Sequence, residues 1–309
     1  MNKDAKILIV GHEDVIEKSL ARNLRAKGFL NVISSSEIAL DTTIQSPVYE
    51  FFSQERPEYI FLGSIRSGGI EANQKNPAEF FYANSESQNN IVYAANKFGI
   101  KKLLYFASSC VYPKDAMQPM KPEFLMIGPI EPTSAAYATA KLAGIALCQA
   151  YRKQYNLNTV VAVPATVYGP DSDVDLSTAH VLGALIHKFH QAKTSGQKNV
   201  TIWGSGEAKR EFIFADDFSD ACLFLMEHYN GEEVINIGCG EDVAIKDLAQ
   251  MIKEACGFQG EILFDKTKPD GALRKLLDNE KIVKLGWKPK VSMNEGILRT
   301  YEWYKERKS

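Results

Sequence analysis

Apolar and polar positions follow two rhythms along the first half of the chain. Runs that are almost wholly apolar occur at residues 6–10 (KILIV), 31–33, 59–62, 102–106 (KLLYF) and 159–163 (TVVAV), and each has the length of a strand. The first and third stop at Gly11 and Gly63, and the last at Pro164. Between these runs the period becomes helical. Residues 14–27 place Val15, Ile16, Leu20 and Leu24 on one face and close at Gly28, and helices are predicted over 48–54, 77–98 and 137–155. Strands with no polar face, each separated from the next by a helix, predict a parallel sheet covered on both sides. Right-handed crossovers make this a doubly wound, Rossmann-like α/β fold.

After Pro164 the rhythm loosens. A loop through Gly169, Pro170, Asp171, Asp173 and Asp175 leads to a helix over 180–192. Strands are predicted at 200–203, 234–237 and 261–264, with a helix over 245–256. This pattern predicts a smaller α/β unit whose cleft faces the carboxyl ends of the parallel strands, where ligands of such sheets bind. The expected boundaries are 1–167 plus 211–237 for the Rossmann-like unit and 168–210 plus 238–309 for the smaller one.

Composition narrows the function classes. With 45% hydrophobic residues, 16 Phe and 13 Tyr, the chain has ample material for a folded core. A net charge of −2 and the lack of a long basic run argue against a nucleic-acid or anionic-membrane partner. The run at 6–10 is too short for a signal-peptide core, and no apolar stretch reaches the roughly 18 residues of a membrane span. Five dispersed cysteines without a Cys-x-x-Cys pair read as free thiols of a reducing cytoplasm. His187 and His190 follow His180 without a carboxylate at ligand spacing, so no metal is expected.

The chemistry concentrates between Ser108 and Lys141. Ser108, Ser109 and Cys110 follow directly on the strand KLLYF, and so stand at a strand's carboxyl end. Tyr137 and Lys141 are one helical turn apart and share a face. An ammonium beside a phenol favours the phenolate and brings its proton exchange below the usual value of about 10. A serine hydroxyl nearby can share the hydrogen bond to a carbonyl oxygen. The Tyr-x-x-x-Lys spacing also occurs at 93/97, 301/305 and 304/308, but only 137/141 follows a Ser-rich strand end through a Pro-containing loop. The other three are expected on solvated helix faces.

The runs SSCVYP, EPTSAAYATAKLAGIALCQAY, TVYGP and AHVLGALIHKFH resemble the GDP-L-fucose synthase family of extended short-chain dehydrogenases/reductases. WGSGEAKREFIFADD, INIGCGEDVAIKDLA and KPDGALRKLLDNEKIVKLGW carry the likeness through the second half. The resemblance implies a cytoplasmic, homodimeric enzyme that epimerises C3 and C5 of a GDP-4-keto-6-deoxy sugar and reduces C4 with NADPH. It gives Ser108, Tyr137 and Lys141 the task of polarising and protonating the C4 oxygen, and makes Cys110 and His180 the acid/base pair of the epimerisation. Inverting a carbon beside a ketone needs such a pair, because a proton must leave one face and return to the other; a thiol and an imidazole both exchange protons near neutral pH when tuned. By the same resemblance Lys188, Trp203 and Arg210 hold the sugar nucleotide, with Asp270 and Arg274 further candidates. Gly11, His12, Asp14 and Pro164 join Tyr137 and Lys141 on the coenzyme side. Cys148, Cys222, Cys239 and Cys256 are expected to be packing residues, and the small-residue helix 137–155 to contribute to the dimer face.

One segment departs from the family pattern. The turn expected as G-x-x-G-x-x-G reads Gly11-His12-Glu13-Asp14-Val15-Ile16-Glu17. Asp14 puts a carboxylate where phosphates are expected, and Glu17 adds bulk and charge where a glycine lets helix and strand pack closely. Glu13 stands where the family commonly has an arginine beside the 2′-phosphate, Ser34-Ser35-Ser36 supplies no arginine either, Gly63-Ser64-Ile65-Arg66 replaces a loop where alanines are usual, and Thr166 replaces a common Asn. These losses fall mostly on the coenzyme side. Three readings follow: the bifunctional epimerase-reductase using NADPH; a redox-free 3,5-epimerase with Tyr137 as oxyanion stabiliser; and a non-catalytic sugar-nucleotide-binding homologue, against which the complete set Ser108, Cys110, Tyr137, Lys141 and His180 argues.

Overall fold

The computed structural model describes residues 1–309 apart from Glu13, Ser177 and Ser309, and apart from the side chain of Lys308. In chain order the first half runs β1 (Lys6–Val10), α1 (Val15–Ala26), β2 (Asn31–Ser34), α2 (Gln45–Glu55), β3 (Tyr59–Leu62), α3 (Ile70–Lys75), α4 (Pro77–Phe98), β4 (Lys102–Phe106), α5 (Ala135–Tyr155) and β5 (Thr159–Pro164). The second half follows with β6 (Thr166–Tyr168), α6 (Val181–Thr194), β7 (Asn199–Trp203), β8 (Lys209–Phe214), α7 (Ala215–His228), β9 (Ile235–Ile237), β10 (Asp242–Ala244), α8 (Ile245–Cys256), β11 (Glu261–Asp265), β12 (Arg274–Lys275), α9 (Glu280–Lys284) and α10 (Met293–Lys308).

The predicted doubly wound sheet is present. Its strands run in the order β2-β1-β3-β4-β5-β9, and every pairing is parallel. The order reverses after β1, and the loops after β1, β3, β4 and β5 open on the same side of the sheet, the usual place for a ligand. Two smaller sheets, β10-β8-β12 with β6 beside β8, and β11-β7, carry the second half. Sequence periodicity missed β6, β10 and β12 because strands of two or three residues have no period of their own; pairing with β8 makes them. It placed His180 inside a helix, whereas His180 is the extended residue that precedes α6.

The buried apolar residues gather into two main cores. One packs β1, β3, β4 and β5 between α1, α2, α4, α5 and α7. The other gathers Leu182, Leu185, Ile186 and Phe189 of α6, Leu248 and Ile252 of α8, and Tyr301 and Tyr304 of α10. Leu277, Ile282 and Trp287 return to the first core. Tyr301 and Tyr304 were expected on solvated faces, yet they are 4% and 2% exposed, with their hydroxyls on His190 and His187. Apolar neighbours on α6 and α8 outweigh the helical spacing to lysine. The remaining expectation holds at Tyr93, which is 44% exposed.

α5 lies so close to the sheet at Gly144 that a methyl group there would collide with the Tyr105 hydroxyl. That hydroxyl donates to Gln88 Oε1 at 2.8 Å, and Gln88 Nε2 donates to the Ala140 carbonyl at 2.9 Å. These buried bonds fix the turn of α5 that carries Tyr137 and Lys141.

Candidate active site

The strand ends and the helix starts bring the predicted catalytic groups together. Ser108 ends the extended run after β4, and its Oγ accepts the Cys110 amide at 3.3 Å, capping a short 3-10 turn over Ser109–Val111. Tyr137 stands in the first turns of α5, buried edge-to-face against Phe80. Its hydroxyl lies 3.0 Å from Ser64 Oγ, after β3, and shares a hydrogen bond with Ser108 as well.

Burial corrects the expected phenolate. It pushes the Tyr137 hydroxyl above its ordinary value, against the hydrogen bonds from Ser64 and Ser108. Lys141 is almost wholly buried, its Nζ 3.4 Å from the Gly63 carbonyl and 4.4 Å above the Tyr105 ring. Burial draws its ammonium down to about 7. Taking both groups out of water favours both neutral forms, so Tyr137 is kept as a proton donor.

Cys110 faces the same space. Burial raises its thiol, but Lys275 on β12, together with Ser108 and Ser134, brings it below the ordinary value. Lys275 Nζ donates to Cys110 Sγ at 3.4 Å. His180 ends the last loop of the cleft, just before α6, and that loop is held by Gly69 N donating to Thr178 O at 2.9 Å. A side chain at Gly69 would strike the Ala179 carbonyl. His180 as a residue is exposed, yet protein packed around its imidazole desolvates the ring. That crowding lowers its basicity, against Asp14 and Asp173, which raise it.

On the second half, Arg210 and Asp270 are in contact, while Lys188, Trp203 and Arg274 each have other partners. Lys188 Nζ donates to the Thr201 carbonyl at 3.0 Å, and Trp203, two residues on, is half exposed with Lys268 over its ring. The Asp270 carboxylate accepts Ser205 N and Oγ, each at 2.8 Å, and Arg210 Nη2 donates to the Asp270 carbonyl at 3.1 Å. Arg274 points elsewhere, ion-paired with Asp242. Successive strand residues face opposite sides, so its neighbour Lys275 enters the cleft opposite Arg210 in the ladder.

Sequence reasoning missed Lys275 and Ser134 altogether. It noted Ser64 only as a departure. The sole signal for Lys275 was its place beside Arg274, and the face it takes depends on pairing with β8.

The turn after β1 holds its own anions. Asp14 Oδ1 accepts the amides of Ile16 and Glu17 at 3.1 and 3.0 Å, the donors a diphosphate at this helix start would use. Asp14 therefore turns inward, onto the helix. Glu17 is buried against Gly11, and its carboxylate accepts Ser34 Oγ, Ser36 N and Ser36 Oγ beyond β2. His12 Nδ1 lies 2.8 Å from the Ser64 carbonyl and 3.6 Å from Asp14. Glu13 lies outside the described residues. Pro164 closes β5, paired in register with Ile237.

The model of the NAD dependent epimerase/dehydratase family matches residues 7–238. A probable GDP-L-fucose synthase 1 of Oryza sativa subsp. japonica is 46% identical over 306 residues, covering 99% of this chain and 93% of that protein. The chain belongs to the NAD dependent epimerase/dehydratase family, on its GDP-L-fucose synthase branch. Its fold is also that of solved family members from Campylobacter jejuni. A GDP-6-OMe-4-keto-L-xylo-heptose reductase superposes with a TM-score of 0.95 at 34% identity, covering 99% of each chain. A GDP-mannoheptose C4 reductase with NADP bound superposes at 0.90 with 36% identity, again covering 99% of each.

A nicotinamide coenzyme is implied by this family, and the two ends of its seat differ. The cleft residues Ser64, Tyr137 and Lys141 converge at the strand ends, and Gly63 leaves no room for a side chain beside the Val10 carbonyl, so the reacting end fits. At the turn after β1 the fit requires Asp14 to release the helix amides.

Proposed function

We propose that the chain is a GDP-L-fucose synthase, epimerising C3 and C5 of a GDP-linked 4-keto-6-deoxy sugar and reducing C4. The observation that carries this is the meeting of Cys110, the Tyr137–Ser64 pair and Lys275 in one cleft, beside Trp203, Arg210 and Asp270. The names of its relatives support the substrate class.

In the epimerisation a base removes the proton beside the ketone, and the C–H electron pair moves into an enolate. Tyr137, with Ser64 and Ser108 on its hydroxyl, donates to the developing oxyanion. Delivery of a proton to the opposite face inverts the carbon, and the carbonyl reforms. Cys110 and His180 are the two proton carriers. Ser64, Tyr137, Lys141, His12 and Pro164 would hold a nicotinamide coenzyme, which supplies hydride to C4 when bound; Tyr137 then supplies the proton to the C4 oxygen.

Arg210, Lys188, Trp203 and Asp270 bind the nucleotide in this reading, cations and an aromatic face suiting a pyrophosphate and a base. The two hydrophobic cores support a division into a coenzyme half, 1–167 plus 211–237, and a substrate half, 168–210 plus 238–309, although Leu277, Ile282 and Trp287 pack in the first core and Phe212 and Phe214 in the second. Phe81 and Tyr82 on α4 and Tyr155 on α5 lie exposed and support a homodimer across these helices. Among the described residues no helix is long and apolar enough to cross a membrane, which suits a cytoplasmic sugar-nucleotide enzyme.

The test is a proton NMR time course in D₂O with GDP-4-keto-6-deoxymannose and NADPH. Deuterium at C3 and C5 with a reduced C4 is the expected result. Deuterium uptake with NADPH unconsumed would replace this function with a redox-free epimerase, and the absence of both signals would overturn the substrate assignment.

A further inference from the structure

Cys110 is surrounded by groups from several elements. Ser108 and Ser134 hydrogen-bond the thiol, Tyr137 of α5 and Arg210 of β8 lie within electrostatic reach, and Lys275 of β12 touches the sulfur at 3.4 Å. His180, across the cleft, also feels the Lys275 charge.

The backbone around Lys275 is held on every side. β12 pairs with β8 at Lys209 and Arg210. Leu276 N donates to Gln118 Oε1 at 2.8 Å, its carbonyl accepts Met120 N at 2.7 Å, and Leu277 N donates to Glu211 Oε2 at 2.9 Å. These bonds fix the strand from which the Lys275 ammonium reaches the sulfur.

Resting on the epimerase reading, we propose that Lys275 is a positioning residue whose ammonium holds the Cys110 sulfur as a thiolate, ready to take the proton beside the ketone. The sulfur accepts that proton and becomes a thiol, the C–H electron pair passes into the enolate, and Lys275 keeps its own proton throughout. An opposite charge in contact favours the ionised form, typically by about one to three pH units, and the thiolate is the form that acts as a base or nucleophile. Arg274, one residue earlier, is paired with Asp242 and takes no part.

The experiment is the pH dependence of iodoacetamide alkylation, resolved by peptide mass spectrometry, for the wild-type protein, Lys275→Met and Lys275→Arg. Half-buried Cys239, whose thiol burial pushes up to about 11, is the internal reference. Lys275→Met is expected to move the Cys110 midpoint up by about one unit, slowing alkylation about tenfold near neutral pH. Lys275→Arg is expected to restore the wild-type midpoint, and Cys239 to stay where it was. An unmoved Cys110 midpoint in Lys275→Met overturns the proposal.

Should Lys275→Met unfold, alkylation of buried Cys148, Cys222 and Cys256 reveals it. The ultraviolet thiolate absorbance of the wild-type protein minus that of Cys110→Ser then decides. A midpoint below the ordinary thiol value supports the proposal, and one at or above it overturns it. Alkylation reads the thiol without substrate, so a low Cys110 midpoint in a protein that takes up no deuterium would keep the Lys275 contact and reject the epimerase function instead.

Discussion

Single side chains set the chemistry of this cleft through what surrounds them. In the proposed reaction Cys110 is a proton carrier, and Lys275 lies on its sulfur. Three other cysteines, Cys148, Cys222 and Cys256, are buried in the packing, and burial drives their thiols up. Cys110→Ala is expected to abolish deuterium uptake at C3 and C5 while leaving the fold intact; a wild-type exchange rate in that variant would remove Cys110 from the reaction. Asp14 is the second decisive residue, since its carboxylate takes two helix amides that a coenzyme diphosphate would use. Glycine at a helix N-cap costs only a few tenths of a kcal/mol. Relief from a repelled anion is worth about 1–3 kcal/mol, so Asp14→Gly is expected to tighten NADPH binding by about tenfold. Isothermal titration calorimetry measures this, and an unchanged affinity would mean that the coenzyme does not use these amides.

At the scale of elements, β8 organises the second half. It pairs with β6, β10 and β12 and carries Arg210 toward the cleft and Glu211 toward the interior. The Glu211 carboxylate accepts Gly240 N at 2.7 Å and Leu277 N at 2.9 Å, and so joins three segments. Burial nevertheless raises its pKa from 4.5 to about 7. Between these values the unfolded chain has lost the proton and the folded chain keeps it. The stabilisation is therefore full below about pH 4.5 and is lost as pH rises through about 7. Glu211→Gln is expected to flatten this part of the profile, read as the difference in melting temperature between wild type and variant at pH 5 and pH 8. A constant difference would show that Glu211 does not titrate in that window. The long, regular elements were legible in sequence, because α1, α4, α5 and α8 and the five strands β1 to β5 each carry their own period or apolar run. β6, β10 and β12 were not, since they exist only as partners of β8.

In the whole molecule the cleft lies where the two halves meet, and a few buried polar groups join them. Asn236, on the edge strand β9, accepts the Tyr112 hydroxyl at 2.7 Å and donates to the carbonyls of Met120 and Asp278 at 2.9 and 3.0 Å. It ties the loop after Cys110 and the segment after Lys275 to the central sheet. Asn236→Ala is expected to lower stability by roughly 2–3 kcal/mol, since buried partners are left unsatisfied. It is also expected to raise the alkylation midpoint of Cys110 in the sense of Lys275→Met. A loss of stability with an unmoved midpoint would separate the brace from the site. The sequence by itself determined the parallel sheet, the family, and the positions of Ser108, Cys110, Tyr137 and Lys141, because each stands at a strand end or on a helix face that local pattern dictates. Tertiary structure alone decided the protonation of Tyr137 and Lys141, the inward turn of Asp14, and the choice of Lys275 over Arg274. Those depend on desolvation, on which amides are open, and on which strand β12 finds as its neighbour, and all three are set by contacts between residues far apart along the chain.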